Sequence, residues 1–161
     1  MRWANALIRS VIWLGGAGFY ASLKKPAGGS FLDLRSDVPG WLGAGLLAAG
    51  LALHCWSNVV LARHDPAPDQ AATLAATGPF RFTRNPIYLA GITLLTGIGL
   101  LYGTWHIDDL VLPGALFLYF HLAVVYVEEP GLRGRFGASY DAYCGRVPRW
   151  LPRWSPTRRP P

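Results

Sequence analysis

Two adjacent glutamates, Glu128 and Glu129, are the only glutamates in this chain of 161 residues, and they follow directly on a run of apolar residues. Two like charges at an apolar boundary cost free energy unless positively charged or hydrogen-bond-donating groups lie close by. The pair would therefore suit a ligand that carries a positive charge or several donor groups. A solvated helix end without any ligand would explain the same position.

A second group of candidate residues lies in the segment 78–88, which reads GPFRFTRNPIY. A glycine–proline turn precedes Arg81 and Arg84, and Asn85 followed by Pro86 is typical of a capped helix start. Arginine side chains and the free N–H groups of a helix N-terminus both bind anions such as carboxylates. The segment indicates an anion site, although a basic patch that binds anionic lipid headgroups would have the same composition.

The elements that must position these groups are apolar. Hydrophobic residues make up 52 % of the chain and charged residues 15 %, whereas a soluble domain carries about a quarter charged residues. This excludes a disordered chain and argues against an ordinary soluble enzyme. Four apolar runs approach the length that crosses a bilayer, at residues 7–23, 40–62, 86–105 and 110–127. We predict one all-α domain over residues 1–161, a polytopic membrane helical bundle with about four transmembrane helices.

The basic residues are distributed unequally around these runs. With four spans, 12 of the 15 Lys and Arg residues fall on the side of the two termini and the 63–85 loop. The positive-inside bias places that side, with all the candidate residues, in the cytoplasm. The high Arg, Ala, Gly and Pro content suggests a bacterial cytoplasmic membrane. We expect the first run to be an uncleaved span rather than a signal peptide.

The tail that follows the glutamates is rich in arginine and aromatic residues. Phe136, Tyr140 and Tyr143 recur at the spacing of one helix face, which predicts a C-terminal amphipathic helix on the cytoplasmic surface. The prolines that follow would end this helix, and residues 153–161 are expected to be disordered. Anionic lipid headgroups are expected partners of the basic tail, and nucleic acid is not.

Two histidines, His54 and His121, fall inside apolar runs. An ionisable residue at that depth faces a cavity or hydrogen-bonds to a neighbouring helix, and we favour the second interpretation. Cys55 and Cys144 are expected to be free, and no spacing typical of a metal site is present.

The segment 78–88, an apolar hairpin, the glutamate pair and the pattern FGxxYxxY with VPR at 147–149 together resemble the isoprenylcysteine carboxyl methyltransferase and phospholipid methyltransferase superfamily. The resemblance covers residues 77–152, the predicted cofactor-binding core, while residues 1–76 match only as generic spans. It implies a membrane-embedded methyltransferase that depends on S-adenosylmethionine and has no Rossmann domain.

The resemblance also implies which residues hold the cofactor. Arg84, Asn85, Pro86, Tyr88, Glu128 and Glu129 would line its pocket, Gly78 and Pro79 would shape the entering loop, and Tyr140, Tyr143 and Arg146 would close it from below. Arg84 and Glu129 are the expected catalytic residues. Glutamate would accept from the ammonium of the cofactor, and arginine would pair with its carboxylate. Better-known members have histidine at this position. Asn85 keeps hydrogen-bonding groups, but unlike an imidazole its amide cannot carry a proton.

The expected reaction is methyl transfer to a lipid or lipid-linked acceptor, either an isoprenylcysteine-like carboxylate or a phospholipid-like amine. A carboxylate is ionised near neutral pH, given a reference pKa of about 4, and needs no general base, whereas an amine needs one. Two alternatives stay open. One is a steroid-reductase-like membrane oxidoreductase that uses NADPH, and the other is a non-catalytic scaffold that binds lipid.

Overall fold

The computed structural model describes residues 2–24, 34–64, 73–102 and 107–151, and no residue in these ranges forms a strand. The elements in chain order are α1 (Arg2–Lys24), α2 (Val38–His64), a 3₁₀ turn (Gly78–Arg81), α3 (Pro86–Tyr102), α4 (Asp108–Ala123), a π turn (Val124–Glu128), α5 (Glu129–Phe136) and α6 (Ala138–Arg146). The predicted all-α class is confirmed for the described ranges. The predicted disordered tail, 153–161, lies outside them.

Two helical segments are long and apolar enough to cross a membrane. These are α2, with 27 residues, and the continuous helix Asp109–Phe136, with 28 residues and a mean hydropathy of 2.1. Only 28 % and 11 % of their most apolar windows are buried inside the protein, so both present apolar side chains outward, as lipid-facing helices do. The apolar helix α3 has 17 residues, about 26 Å at the rise of an α-helix and a little short of a bilayer core. Four spans therefore remain a prediction.

Contacts at one end of the bundle show which helix ends lie together. The Lys24 ammonium at the end of α1 pairs with the Asp109 carboxylate at the start of α4, with 2.6 Å between Nζ and Oδ1. The backbone N–H of Arg35, just before α2, donates to the carbonyl of Leu101 near the end of α3 at 3.4 Å. The segment 78–85 and the two glutamates consequently share the opposite end of the bundle.

Helices α2 and α3 pack at close range through glycines. A Cβ atom on Gly43 would lie 2.7 Å from the carbonyl oxygen of Gly97, and a Cβ on Gly97 would lie 2.7 Å from the backbone nitrogen of Leu47. Small residues at such positions let helix backbones approach closely in membranes. This packing holds the beginning of α3, and with it Asn85 and Tyr88, against the end of α2.

The single amphipathic helix predicted for the tail is wrong in one respect, because two short helices take its place. Helix α5 ends at Phe136, and Gly137 adopts φ +53°, a conformation that L residues rarely adopt. Phe136 and the two tyrosines therefore belong to different helices. Tyr140 and Tyr143 of α6 are buried and pack against Val147, so the face they form is directed into the protein.

A π turn sets the direction of the two glutamates. It covers Val124–Glu128, and the N–H of Glu129 donates to the carbonyl of Val124, five residues earlier. Pro130 follows at once near the start of α5, and because it has no N–H it cannot donate the regular α-helical hydrogen bond back into the turn. Such turns insert one extra residue into a helix and occur frequently at functional sites.

Candidate functional site

A cavity of about 530 Å³ lies at the end of the bundle that carries the glutamates. Eight of the eleven residues predicted to hold the cofactor line it: Arg84, Asn85, Pro86, Tyr88, Glu128, Glu129, Tyr140 and Tyr143. The structure thus brings together side chains that are up to 59 positions apart in the chain. The remaining walls are mostly apolar and come from α1, α2, residues 73–75, the 3₁₀ turn, α3, the π turn and α5, which also contributes the exposed Arg135.

The other three predicted residues do not line the cavity. Gly78 begins the 3₁₀ turn with φ +56°, and a Cβ there would lie 2.7 Å from a methyl carbon of Val60, so glycine is required for the predicted turn. Pro79 is buried beside it. Arg146 is exposed, and its Nε donates to the carbonyl of Ala142 at 3.1 Å. Its predicted role in closing the pocket has no support in this geometry.

Glu129 forms a buried ion cluster with two arginines. Arg149 holds both carboxylate oxygens, with Nε 2.7 Å from Oε1 and Nη2 3.0 Å from Oε2. Arg84 adds a third contact, with Nη1 3.0 Å from Oε1, and the Glu129 side chain is 4 % exposed. The hydrogen bond to Glu129 raises the pKa of the Arg149 guanidinium above its ordinary value. The partners that a buried carboxylate needs are thus supplied by the protein itself.

Arg149 is the member of this cluster that sequence reasoning missed. Its position lies in the VPR pattern at 147–149, which contributed to the family resemblance but received no role. A buried glutamate needs a cationic partner, and this requirement was the signal that could have directed attention to it.

Glu128 has a different environment. Among the described residues, no basic side chain forms an ion pair with it. It accepts a hydrogen bond from the Tyr88 hydroxyl, and the Tyr88 ring is fixed by stacking on Phe120, with 4.4 Å between centroids and 15° between planes. Glu128 therefore presents to the cavity a negative charge that has no ion-pair partner among the described residues.

Arg84 keeps one donor without a partner. Its Nη1 contacts Glu129 and also the Cys144 sulfur, at 2.8 Å, and its side chain is 12 % exposed. Its Nε is buried and has no hydrogen-bond partner within the part of the chain that the structure describes. An unsatisfied buried donor of a charged group costs free energy, so this Nε has the capacity to donate to one further acceptor.

The segment 148–150, which we call the strap, holds the loop that carries Arg84 in place. The Arg84 N–H donates to the carbonyl of Pro148 at 3.0 Å. The carbonyl of Arg149 accepts from the Thr83 hydroxyl at 3.0 Å and from the Asn85 side-chain amide at 3.1 Å. Asn85 lines the cavity as predicted, but its amide N–H serves the strap rather than the cavity.

The two histidines singled out from the sequence do not line the cavity. His54 is 1 % exposed, and its Nε2 lies 3.1 Å from the side-chain amide of Asn58. Asn58 belongs to the same helix α2, so the hydrogen bond to a neighbouring helix that we favoured stays a prediction. The Nδ1 of His121 accepts from the Trp150 indole at 3.0 Å. A third histidine, His64, does line the cavity, and it escaped notice because it follows the apolar run. Its Nδ1 lies 2.9 Å from the carbonyl of Val60.

The two tyrosines of α6 form the floor of the cavity. Burial raises the pKa of Tyr140 to about 12 and also raises that of Tyr143. Both phenols are therefore neutral at physiological pH. The Tyr143 hydroxyl donates to the carbonyl of Phe80 at 2.7 Å, which ties α6 to the 3₁₀ turn. Within the described ranges, no group of three or more His, Cys, Asp or Glu residues could hold a metal ion.

An apolar groove adjoins the cavity between α1, α3 and α4. Its volume is about 360 Å³, and it is lined by Trp13, Gly16, Ala17, Tyr88, Leu95, Leu112, Leu116 and Phe120. Trp13 and Tyr88 line both the groove and the cavity. A cavity that carries charged groups and an apolar groove thus meet at two aromatic rings.

The sequence model of one known family, described as phospholipid methyltransferase, matches residues 38–139. This range is well over half of the chain and includes Arg84 and both glutamates, but it ends before Tyr140 and the strap. Neither a curated protein nor a solved structure matches the chain.

Proposed function

Because the chain belongs to the phospholipid methyltransferase family, we propose that it is an integral-membrane methyltransferase that transfers a methyl group from S-adenosylmethionine to a lipid or lipid-linked acceptor. One observation carries this proposal beyond family membership. A cavity with separate positive and negative groups joins an apolar groove at Tyr88 and Trp13. Such a pair of compartments suits a polar methyl donor and a lipidic acceptor.

The cavity fits the chemistry of S-adenosylmethionine. Its volume of about 530 Å³ lies within the range of roughly 300–1,000 Å³ that is usual for small-molecule sites. The buried Nε of Arg84 is an unused donor for the carboxylate at the methionine end. Glu128, which has no ion-pair partner among the described residues, is an acceptor for the ammonium group.

When bound, S-adenosylmethionine supplies an electrophilic methyl group on a positively charged sulfur. The protein's task is to hold donor and acceptor in line, since positioning accounts for a large part of such a displacement. Tyr88 is suited to this task because Phe120 and Glu128 fix both its ring and its hydroxyl. The face of an aromatic ring also attracts a cation.

The acceptor class decides whether a base is needed. A carboxylate acceptor can react as it stands, whereas an ammonium acceptor must first lose a proton. His64, the histidine that lines the cavity within the described ranges, is suited to take that proton. Because the Val60 carbonyl can only accept, the Nδ1 of His64 carries the proton of that hydrogen bond. Nε2 therefore has the lone pair, which accepts a long hydrogen bond of 3.4 Å from the Thr77 hydroxyl and would have to exchange it for the proton of the acceptor.

The proposal is tested with the full chain in nanodiscs of phosphatidylethanolamine and phosphatidylglycerol. We expect S-adenosylhomocysteine to raise the thermal midpoint and NADPH to leave it unchanged. Labelled methyl groups from S-adenosylmethionine should appear in the extracted lipids, where mass spectrometry identifies the product. Stabilisation by NADPH alone would favour the oxidoreductase instead.

A matched pair of variants separates catalysis from a scaffold role. Arg84→Gln removes a cavity guanidinium, and Arg146→Gln removes an exposed one that lies outside the cavity. We expect the first to abolish methyl transfer and the second to leave it unchanged. Equal activity of the two variants would contradict a role for the cavity.

A further inference from the structure

The buried ion cluster carries more positive than negative charge. Glu129 contributes one negative charge, and Arg84 and Arg149 contribute one positive charge each. Arg133 also influences Glu129, but it is paired with Asp141 at 3.0 Å on the surface. The side chains of Glu129 and Arg84 are 4 % and 12 % exposed, and that of Arg149 is 31 % exposed. Water therefore reaches Arg149 but compensates the charge of Arg84 poorly.

We propose that Arg149 is a positioning residue whose charge satisfies the Glu129 carboxylate and so leaves the charge and the Nε donor of Arg84 for the carboxylate of S-adenosylmethionine. The inference rests on the proposed function, and it assigns roles within the same site. In it, Glu129 is the partner of two arginines, and the ammonium of the cofactor is left to Glu128.

The division of contacts supports these roles. Arg149 engages both oxygens of Glu129, at 2.7 and 3.0 Å, in the side-by-side geometry that suits a guanidinium and a carboxylate. Arg84 contacts one oxygen through one terminal nitrogen and keeps a buried Nε without a partner among the described residues. Without Arg149, Glu129 would neutralise Arg84, and the cluster would carry no excess positive charge toward an anionic ligand.

The backbone of Arg149 works independently of its side chain. Its carbonyl accepts from Thr83 and Asn85, and these hydrogen bonds survive any substitution that keeps the strap conformation. Replacing the side chain therefore changes the charge of the cluster while the loop that carries Arg84 stays anchored.

The test measures the affinity for S-adenosylhomocysteine by isothermal titration calorimetry of the full chain in nanodiscs. Arg149→Met reduces the cluster charge from +1 to zero, and we expect roughly 10- to 100-fold weaker binding, as for loss of a charge-assisted interaction. The double variant Arg149→Met/Glu129→Gln restores the charge of +1, and its affinity should return to within a few-fold of the parent. Arg149→Lys keeps the charge and should bind better than Arg149→Met.

Each outcome has a defined meaning. A purely structural role of Arg149 predicts that the double variant is weaker than the single one, which would overturn the inference, as would unchanged binding by Arg149→Met. Arg133→Met, which removes a surface-paired arginine, is the control and should bind like the parent.

The thermal midpoint without ligand reports whether each variant is folded. If Arg149→Met does not fold, parent-like affinity of Arg149→Lys and the double variant still supports the inference, and weak binding by both overturns it. A parent that binds no S-adenosylhomocysteine overturns the proposed function as well, whereas a parent that binds confines any failure to the inference.

Discussion

The hydroxyl of Tyr88 donates to the carboxylate of Glu128, so the first turn of α3 is tied to the π turn that follows α4. Phe120 stacks on the same tyrosine ring. The contact lies where the cavity with its charged groups adjoins the apolar groove, because Tyr88 lines both.

Removing the Tyr88 hydroxyl should slow methyl transfer while leaving the fold intact. Tyr88→Phe keeps the ring stacked on Phe120 but deprives Glu128 of its donor, and a hydrogen bond to a charged group contributes about 1.5–3 kcal/mol. We expect kcat/KM to fall roughly tenfold or more, measured by incorporation of labelled methyl groups. Tyr119→Phe, at a ring that is 64 % exposed, is the control, and an equal loss in both variants would contradict the role of Tyr88.

Removing the negative charge of Glu128 should weaken cofactor binding. Glu128→Gln keeps the size of the side chain but loses the charge that would bind the ammonium group. We expect the affinity for S-adenosylhomocysteine to fall roughly 10- to 100-fold in calorimetry. Asp141→Asn removes an exposed carboxylate that lies outside the cavity, and this variant should bind normally. Normal binding by Glu128→Gln would show that the ammonium is held elsewhere.

Filling the apolar groove should impair acceptor use alone. Gly16 lines the groove, and no atom lies within 4 Å of a Cβ built on it, so Gly16→Leu projects into open space. We expect the KM for the lipid acceptor to rise roughly tenfold, because about 1.4 kcal/mol of apolar contact is lost.

Gly15→Leu is the matched control for the groove, since Gly15 is equally uncrowded but does not line it. Both variants should bind S-adenosylhomocysteine like the parent. A rise in KM with Gly15→Leu, or none with Gly16→Leu, would place the acceptor outside the groove.

Acid should loosen the beginning of α2 through Asp37. Its carboxylate accepts from Arg35 and, at 3.0 Å, from the Gly40 N–H, in the manner of a helix cap. The hydrogen bond from Arg35 comes first among the causes that lower the pKa of Asp37 below its ordinary value of 3.8. A carboxyl whose pKa is lower in the folded than in the unfolded state stabilises the fold at pH values above the unfolded-state pKa. This contribution is lost as the pH falls through the folded-state pKa.

Hydrogen exchange of the Gly40 amide measures this loss. We expect protection to decrease below pH 3.8 in the parent. In Asp37→Asn, which keeps the cap but cannot titrate, it should stay flat over the same interval. A parallel decrease in both would assign the effect to other groups.

Sequence reasoning grouped the residues that line the cavity more accurately than it described the helices. Arg84 and the glutamate pair stand out in a chain with few charges, and they do meet. Arg149 did not stand out, because its partner lies 20 positions away and is reached only after the chain turns back at Gly137. The break at Gly137 was hidden because Phe136 and the tyrosines happen to keep helical spacing across it.

The number of spans was harder to derive than the helical class. An apolar run within a membrane is predicted to be helical, because its backbone groups must hydrogen-bond within the segment. It does not fix where the helix stops, and α3 ends at Tyr102 within the described residues. The different contacts of the two glutamates could not be derived from the sequence either, since they depend on a π turn that no residue pattern in the chain had indicated.

That turn makes chain length, rather than composition, the factor that decides which glutamate meets the arginines. One residue corresponds to a rotation of about 100° around a helix axis. Deleting a single residue within Val124–Glu128 would leave every side chain of α5 chemically unchanged but rotated by that angle relative to α4. The carboxylate that Arg84 and Arg149 now share would then point away from them, so the phase of this helix is itself a component of the site.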